Sequence, residues 1–371
     1  MGCSSLASIT VADGSTAYSS VDDVLFSIDK STLITYAAGK SNTSYTVPEG
    51  VTSLSDASFY SAGNLVDITL PTGLATIGED CFMNCQKLQR INIPEGNTTL
   101  GDTAFVHCYD LAEITLPSTL ETIGVDLFES CHKLVTIDVA AGNAHFTSVD
   151  GVLFSADMTQ LRYYPIGRQV PTYDIPEGVT VIGDYAFLYS KYLKQVTFPE
   201  GLTTIGKSAF KGVDIISLTF PSTLVTIEYN AFNSNAALTQ VTIPENVLSL
   251  GDGAFSWCDK LTTVTVEGMY TDFNEYGVFD YGHDDLVIYG LEGSTAQMHA
   301  AEEEIDFQTI TPTEGWICPV CNTGMTTEKF CWECGTARPE EAKEQICAGC
   351  GYVVPDDTIM KFCPECGTKF E

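Results

Sequence analysis

The 371-residue sequence predicts a repeat solenoid that carries two small metal-stapled modules after it, and three observations point there. Prolines at 48, 71, 94 and 117, then at 176, 199, 221 and 244, open segments of 23 residues, with one 22-residue copy and one interruption between 117 and 176. Each segment closes on an apolar run of the form Leu-x-x-Ile-x-Ile, whose period of two marks a short strand with one buried face. Eight of the fourteen cysteines lie between Cys318 and Cys366, grouped as Cys-x2-Cys pairs.

One unit shows why the units must stack. After Pro71 come Leu74, Ile77, Phe82, Cys85, Leu88, Ile91 and Ile93, and the next copy repeats the pattern as Leu100, Phe105, Cys108, Leu111, Ile114 and Leu116. Six large apolar side chains do not offset the entropy of ordering a 23-residue backbone, so neighbouring coils must cover each other. Identical alternation in every unit sets the strands in register as a parallel sheet, expected on the concave face, with about 4.8 Å between strands. Glycines 78, 101, 124, 183, 206 and 251 directly follow Ile or Leu, which suits either positive φ or close backbone approach. Ser55 and Glu228 hold that place in two copies.

A longer repeat overlies the short one. Residues 19–40 match residues 147–168 at an offset of 128, and each reads as an inserted hairpin with an aspartate in its turn. The offset extends backwards, because Cys3, Leu6, Ile9 and Val11 match Cys131, Leu134, Ile137 and Val139. The chain is therefore expected to begin inside a repeat, with its first edge covered by an upstream segment or another chain. Residues 267–310 lose the 23-residue rule and end in the helix-like STAQMHAAEEEIDF, as a closing cap does.

The solenoid segment, residues 3–310, resembles the BspA-like class of bacterial leucine-rich repeats. The motif L-x-x-I-G-x-x-A-F, as in Leu202 to Phe210, followed three positions later by Cys or a small residue, carries the resemblance. It implies a shape-holding array whose surface selects a partner, without implying which. The outward strand positions form two columns. One holds Thr69, Asn92, Thr115, Asp138, Thr197, Thr219, Thr242 and Thr265, and its neighbour includes Arg90, Glu113, Gln195 and Gln240. These twelve residues are the candidate partner-binding strip, although threonine also suits any solvated strand and the columns lack aromatic anchors. Tyr270, Tyr276, Tyr281 and Tyr289 near the cap form an alternative patch.

Other motifs read more plainly. Residues 201–208, GLTTIGKS, fit a phosphate-loop pattern, but Leu202 and Ile205 fall on buried repeat positions, and Glu79 and Asp184 stand where Lys207 does in other copies. Cys85, Cys108, Cys131 and Cys258 share one position with Ala62, Ser190, Val213 and Asn235, so they read as small buried filler. The five histidines show no metal-protease spacing, and there is no G-x-S-x-G turn, so an enzyme is not expected. Asn42 and Asn97 begin glycosylation-type triplets too short to be informative.

Past residues 311–315, a linker, the cysteines fall into two sets of four: Cys318, Cys321, Cys331 and Cys334, then Cys347, Cys350, Cys363 and Cys366. Paired Cys-x2-Cys grips supply the four thiolates of a closed tetrahedral zinc site, and segments this small need the metal to fold. They resemble tandem zinc ribbons, at 316–336 and 346–370 around a linker at 337–345. The expected cofactor is two structural Zn²⁺ without hydrolytic chemistry. A formal charge of −32 repels phosphate backbones and anionic lipids, so neither nucleic acid nor membrane is an expected partner. Thiolates and the lack of a secretory-type start favour the cytoplasm, with a cell-surface adhesin as the alternative if the gene begins upstream. The expected role is a non-enzymatic interaction scaffold; its protein partner and oligomeric state are not specified, and a ribbon factor associated with nucleic acid is the third reading.

Overall fold

The computed structural model describes residues 3–274, 277–280 and 285–310, together with the backbone of Trp316–Ile317 and Gly324–Met325. Residues 1–310 and 311–371 form separate compact units.

In the first unit the 23-residue period becomes a coil with two parallel ladders. The predicted ladder runs through the Ile-x-Ile segments: Asp67–Thr69 pairs with Arg90–Ile91, Glu113–Leu116 with Thr136–Val139, and Gln240–Ile243 with Thr263–Val266. Ile68, Ile91, Ile114 and Ile137 point inward and are buried. A second ladder is built from strands of only two residues, Ser53–Leu54, Thr76–Ile77, Thr99–Leu100 and Thr122–Ile123, and again from Val181–Ile182 to Ser249–Leu250. Two residues are too few for alternation to announce a strand, so the sequence revealed only one ladder of the two.

The repeated glycine is explained by crowding. None of Gly78, Gly101, Gly124 and Gly251 has positive φ. A Cβ on them would stand 2.6, 2.4, 2.4 and 2.3 Å from a backbone nitrogen of the preceding coil, closer than any side chain tolerates. The left-handed residues come later in the coil and are mostly not glycines: Asp80 and Asn84 have φ of 54° and 63°, Thr103 and His107 have 55° and 60°, and only Gly253 and Gly212 put glycine at these two places. Aspartates beside the glycine position stitch coil to coil, since Asp56, Asp102 and Asp184 each accept from the next coil's backbone N–H, of Glu79, Val125 and Lys207, at 2.9 Å.

Each coil places one Phe at its centre, and the rings stack along the axis. Phe59, Phe82, Phe105 and Phe128 lie 5.2, 5.4 and 5.8 Å apart between centroids, and Phe187, Phe210, Phe232 and Phe255 lie 4.6, 5.1 and 5.3 Å apart. Full burial of a Phe stabilises by about 1.5–3 kcal/mol, and a stacked pair adds about 0.5–1.5 kcal/mol.

The two inserts are three-stranded meanders rather than hairpins, and each starts one residue before the predicted boundary. Tyr18–Val21, Val24–Ser27 and Thr32–Tyr36 form the first, and Phe146–Val149, Val152–Ser155 and Gln160–Tyr163 the second, with antiparallel pairing throughout. Their last strands then join the second ladder, Thr32–Tyr36 to Ser53–Leu54 and Gln160–Tyr163 to Val181–Ile182. The second insert partitions the core: Val152, Phe154 and Leu161 pack with the coils after it, while Phe146, Leu153 and Tyr163 pack with those before it. Strand alternation produces this two-sided wall.

Val287–Gly290 continues the first ladder, Ser294 caps the helix Thr295–Glu302 by accepting from the Gln297 N–H, and Asp306–Thr309 adds a last parallel strand.

Candidate interaction surface

The register brings parts of the two columns side by side. Asn92 bridges Thr115, Thr115 pairs with Asp138, and Thr242 with Thr265; beside them Asp67 pairs with Arg90 and Gln240 with Thr263. Thr69, Arg90, Asn92, Glu113, Thr115, Asp138, Gln195, Thr197, Thr219, Gln240 and Thr242 are exposed and Thr265 is half-buried. The strip is interrupted, however. The second insert separates Thr136–Val139 from Thr172–Asp174, and the 22-residue copy has no strand at Thr219. There the shortened coil is held instead by Asn235, whose Oδ1 accepts from the Ile215 N–H at 3.2 Å. Three blocks of polar surface result: Ser44 to Val139, continued across the Asn92–Thr115 bridge, then Thr172 to Thr197, and Gln240 to Thr309.

The cysteine column has a function beyond filling space. Cys85, Cys108 and Cys131 each donate Sγ–H to the carbonyl of the preceding coil's Phe at 3.2, 3.2 and 3.1 Å, and Cys258 does so at 3.3 Å. Asn235 takes the same place with its amide, donating to Phe210 O and Phe232 O at 2.8 Å. The position therefore takes any small buried side chain, and five of its eight occupants, the four cysteines and Asn235, also donate to the preceding coil, whereas Ala62 and Val213 have no donor and the Ser190 hydroxyl has no partner. All six cysteines of the first unit are free. Burial raises the Cys81 and Cys258 thiols to about 12 and lifts Cys85, Cys108 and Cys131 well above the usual range, which keeps them protonated and unreactive.

The phosphate-loop reading fails on geometry. Thr204–Ile205 is a ladder strand, the Lys207 N–H is already donated to Asp184, and the residues after it turn into the buried Phe210 rather than opening a helix. Asn97 is fully buried and so not available for glycosylation in the folded chain, whereas Asn42 is exposed. His299 stacks on Phe273 at 4.5 Å inside the cap, and burial holds its pKa below the ordinary value. His132 stacks on Tyr109 at 5.5 Å. Among the described residues no three His, Cys, Asp or Glu side chains are placed to hold a metal ion, and no helix is long and apolar enough to cross a membrane. Tyr270 is about half-exposed and Tyr289 lies in a ladder strand; Tyr276 and Tyr281 lie outside the described residues, as do all eight C-terminal cysteines.

The second unit contributes one described feature. Trp316–Ile317 pairs antiparallel with Gly324–Met325, Ile317 opposite Gly324. The chain that joins them includes Cys318 and Cys321.

Comparison with known proteins agrees with the coil geometry. The family model for the BspA type leucine rich repeat region, in six copies, matches residues 34–157 and 167–282, well over half of the chain. The crystal structure of the pneumococcal vaccine antigen PcpA is similar with a TM-score of 0.60 and 23% identity, over 83% of this chain and 92% of that one. A leucine rich cell surface protein from Faecalibacterium prausnitzii gives 0.54 and 22%, over 77% and 89%. A leucine-rich repeat protein from Eubacterium ventriosum gives 0.52 and 19%, over 75% and 76%. No curated protein matches significantly. With the glycine crowding, the stacked Phe column and two short ladders per coil in place, the chain belongs to the BspA-type leucine-rich repeat family.

Proposed function

We propose that the protein is a non-enzymatic interaction scaffold whose solenoid presents strand-borne polar columns to a protein partner. The observation that carries this reading is the exposed, in-register row of Thr, Gln, Asn and carboxylate side chains held on a buried ladder. Rigid elements fix such groups more tightly than loops do, which favours recognition by many shared polar contacts. Capture of binding proteins from the native cell by the full chain tests it. Charge-altering changes at Gln195, Thr197, Gln240 and Thr242 are expected to abolish specific capture, and undiminished capture would contradict the strip.

The same reading assigns one Zn²⁺ to Cys318, Cys321, Cys331 and Cys334 and another to Cys347, Cys350, Cys363 and Cys366. The donor chemistry fits, since four thiolates close a tetrahedral shell around a structural zinc. The antiparallel pairing of Trp316–Ile317 with Gly324–Met325 supports it by bringing together the two ends of the segment that bears the first Cys pair. Two zinc per chain are expected by elemental analysis, and none would remove the ribbons. The cytoplasm is the proposed location, supported by unpaired thiols in the solenoid. Display on the cell surface is the second reading, because two proteins of similar fold are described as a vaccine antigen and a cell surface protein. Surface labelling of intact cells separates the two.

A further inference from the structure

We infer that the junction between the two halves of the solenoid holds a binding site for a small zwitterion of the α-amino acid class. A cavity of about 170 Å³ opens there, lined by Val125 from the coil before the second insert, by Gln160 and Arg162 from the insert, and by Asp184, Thr204 and Glu228 from the three coils beyond. A single water needs roughly 10–15 Å³ of such space, so the cavity suits a ligand of several heavy atoms. It exists because the second ladder stops: Thr122–Ile123 pairs with Thr99–Leu100 on one side and with no strand on the other, while Gln160–Tyr163 starts the next ladder.

Two of the lining residues depart from the repeat. Arg162 corresponds at the 128-residue offset to Ile34, and Glu228 stands where six other coils have glycine. Both departures place a charge in the same cavity. Arg162 is half-buried; among the described residues its side chain makes one hydrogen bond, from Nη1 to Gln160 Oε1 at 3.2 Å, and no ion pair. The Glu228 carboxylate, also half-buried, has no partner among the described residues, and Asp184 uses Oδ1 on the Lys207 N–H, leaving Oδ2. A guanidinium and two carboxylates therefore share one cavity without contacting each other. A ligand carboxylate takes the fork of Arg162, and its ammonium takes Glu228 and Asp184, so that each charge gains a partner a simple ion supplies to only one side. Val125, about half-exposed, offers an apolar wall for a side chain. This site stands apart from the polar columns and does not depend on the scaffold reading.

Ligand-observed NMR on the full chain, with the proteinogenic L-amino acids alongside acetate and methylammonium, tests it. At least one amino acid is expected to bind, acetate and methylammonium about tenfold more weakly or not at all, and R162I and E228Q to lose about tenfold or more in affinity. R162I installs the residue of the first insert, so its melting midpoint is expected to stay near that of the parent; if it does not, E228Q carries the test. Absence of binding by every amino acid overturns the proposal. So does acetate binding as tightly as any amino acid, which would make this a plain anion site, and so does binding that survives both substitutions.

Discussion

The inserts at Tyr18–Tyr36 and Phe146–Tyr163 share their turn, their anchoring bonds and their ring contacts, yet they differ on one face. Asp29 and Asp157 hold the turns, accepting from Ser27, Ser31, Ser155 and Thr159. The Gly39 and Gly167 N–H groups donate to Leu6 O and Leu134 O, both at 2.8 Å. Tyr36 stacks on Phe59 and Tyr164 on Phe187, with Lys40 and Arg168 each 5.3 Å above the tyrosine ring. On the other face the surroundings decide. Phe146 is 8% exposed where its counterpart Tyr18 is 50% exposed, and Leu134 is fully buried where Leu6 is 41% exposed. Tyr163, whose counterpart is Thr35, donates its hydroxyl to Gly124 O at 2.7 Å and accepts from the Leu127 N–H at 3.3 Å. The inward face thus starts a Phe column in either setting, while the outward face is adapted to whatever coil precedes it.

That difference can be broken experimentally, beginning with the column both inserts start. Phe210→Ala, in the middle of the second stack, is expected to cost about 3–5 kcal/mol in denaturant unfolding, because rings on both sides lose their partner. Phe128→Ala, which meets Tyr163 edge-on at the junction, should cost less, and equal losses would show that the junction is packed as tightly as the interior. Next in size, Tyr163→Phe leaves a buried carbonyl and N–H without their partner, for about 1–3 kcal/mol. The loss should disappear if the coil before the insert is already unfolded, which hydrogen exchange at Leu127 would report.

A smaller effect of opposite sign is expected at Asn97. It occupies the buried place that Leu74 and Leu120 hold in adjacent coils, and neither side-chain atom has a partner. Asn97→Leu should stabilise by about 1–2 kcal/mol. Asn235→Leu should destabilise, since that amide is fully bonded. The two melting shifts, measured side by side, separate a satisfied polar core residue from an unsatisfied one.

The smallest expected change concerns pH. Burial, and then the neighbouring Glu129, hold the Asp126 carboxyl well above the usual carboxylate range. The folded chain therefore keeps a proton that the unfolded chain releases near pH 4, and stability falls as pH rises through the window between the two pKa values. Asp126→Asn should remove that slope, with a gain at neutral pH that vanishes near pH 4. A gain independent of pH would assign the effect to packing instead.

The features legible in the sequence are those that recur. The prolines set the period, and Ile68, Ile91, Ile114 and Ile137 fall inside as their alternation requires. The column of Thr115, Thr242 and their neighbours emerges from the same alternation. What escaped was short or borne by any residue type. Two-residue strands carry no period, and His107 and Trp257 take left-handed backbone, each with φ of 60°, at a place no residue preference marks. The cavity at the junction escaped for another reason: Arg162 and Glu228 lie 66 residues apart and are brought together only by stacking.

Removal of one whole internal coil, residues 94–116, tests most directly that each coil is held by its neighbours. In a one-dimensional stack Phe82 meets Phe128 once the coil between them is gone, and the ladders close again. The shortened chain should keep its far-UV circular dichroism per residue and unfold cooperatively at a modestly lower midpoint. A chain that loses its β signal and its cooperative transition would contradict the account.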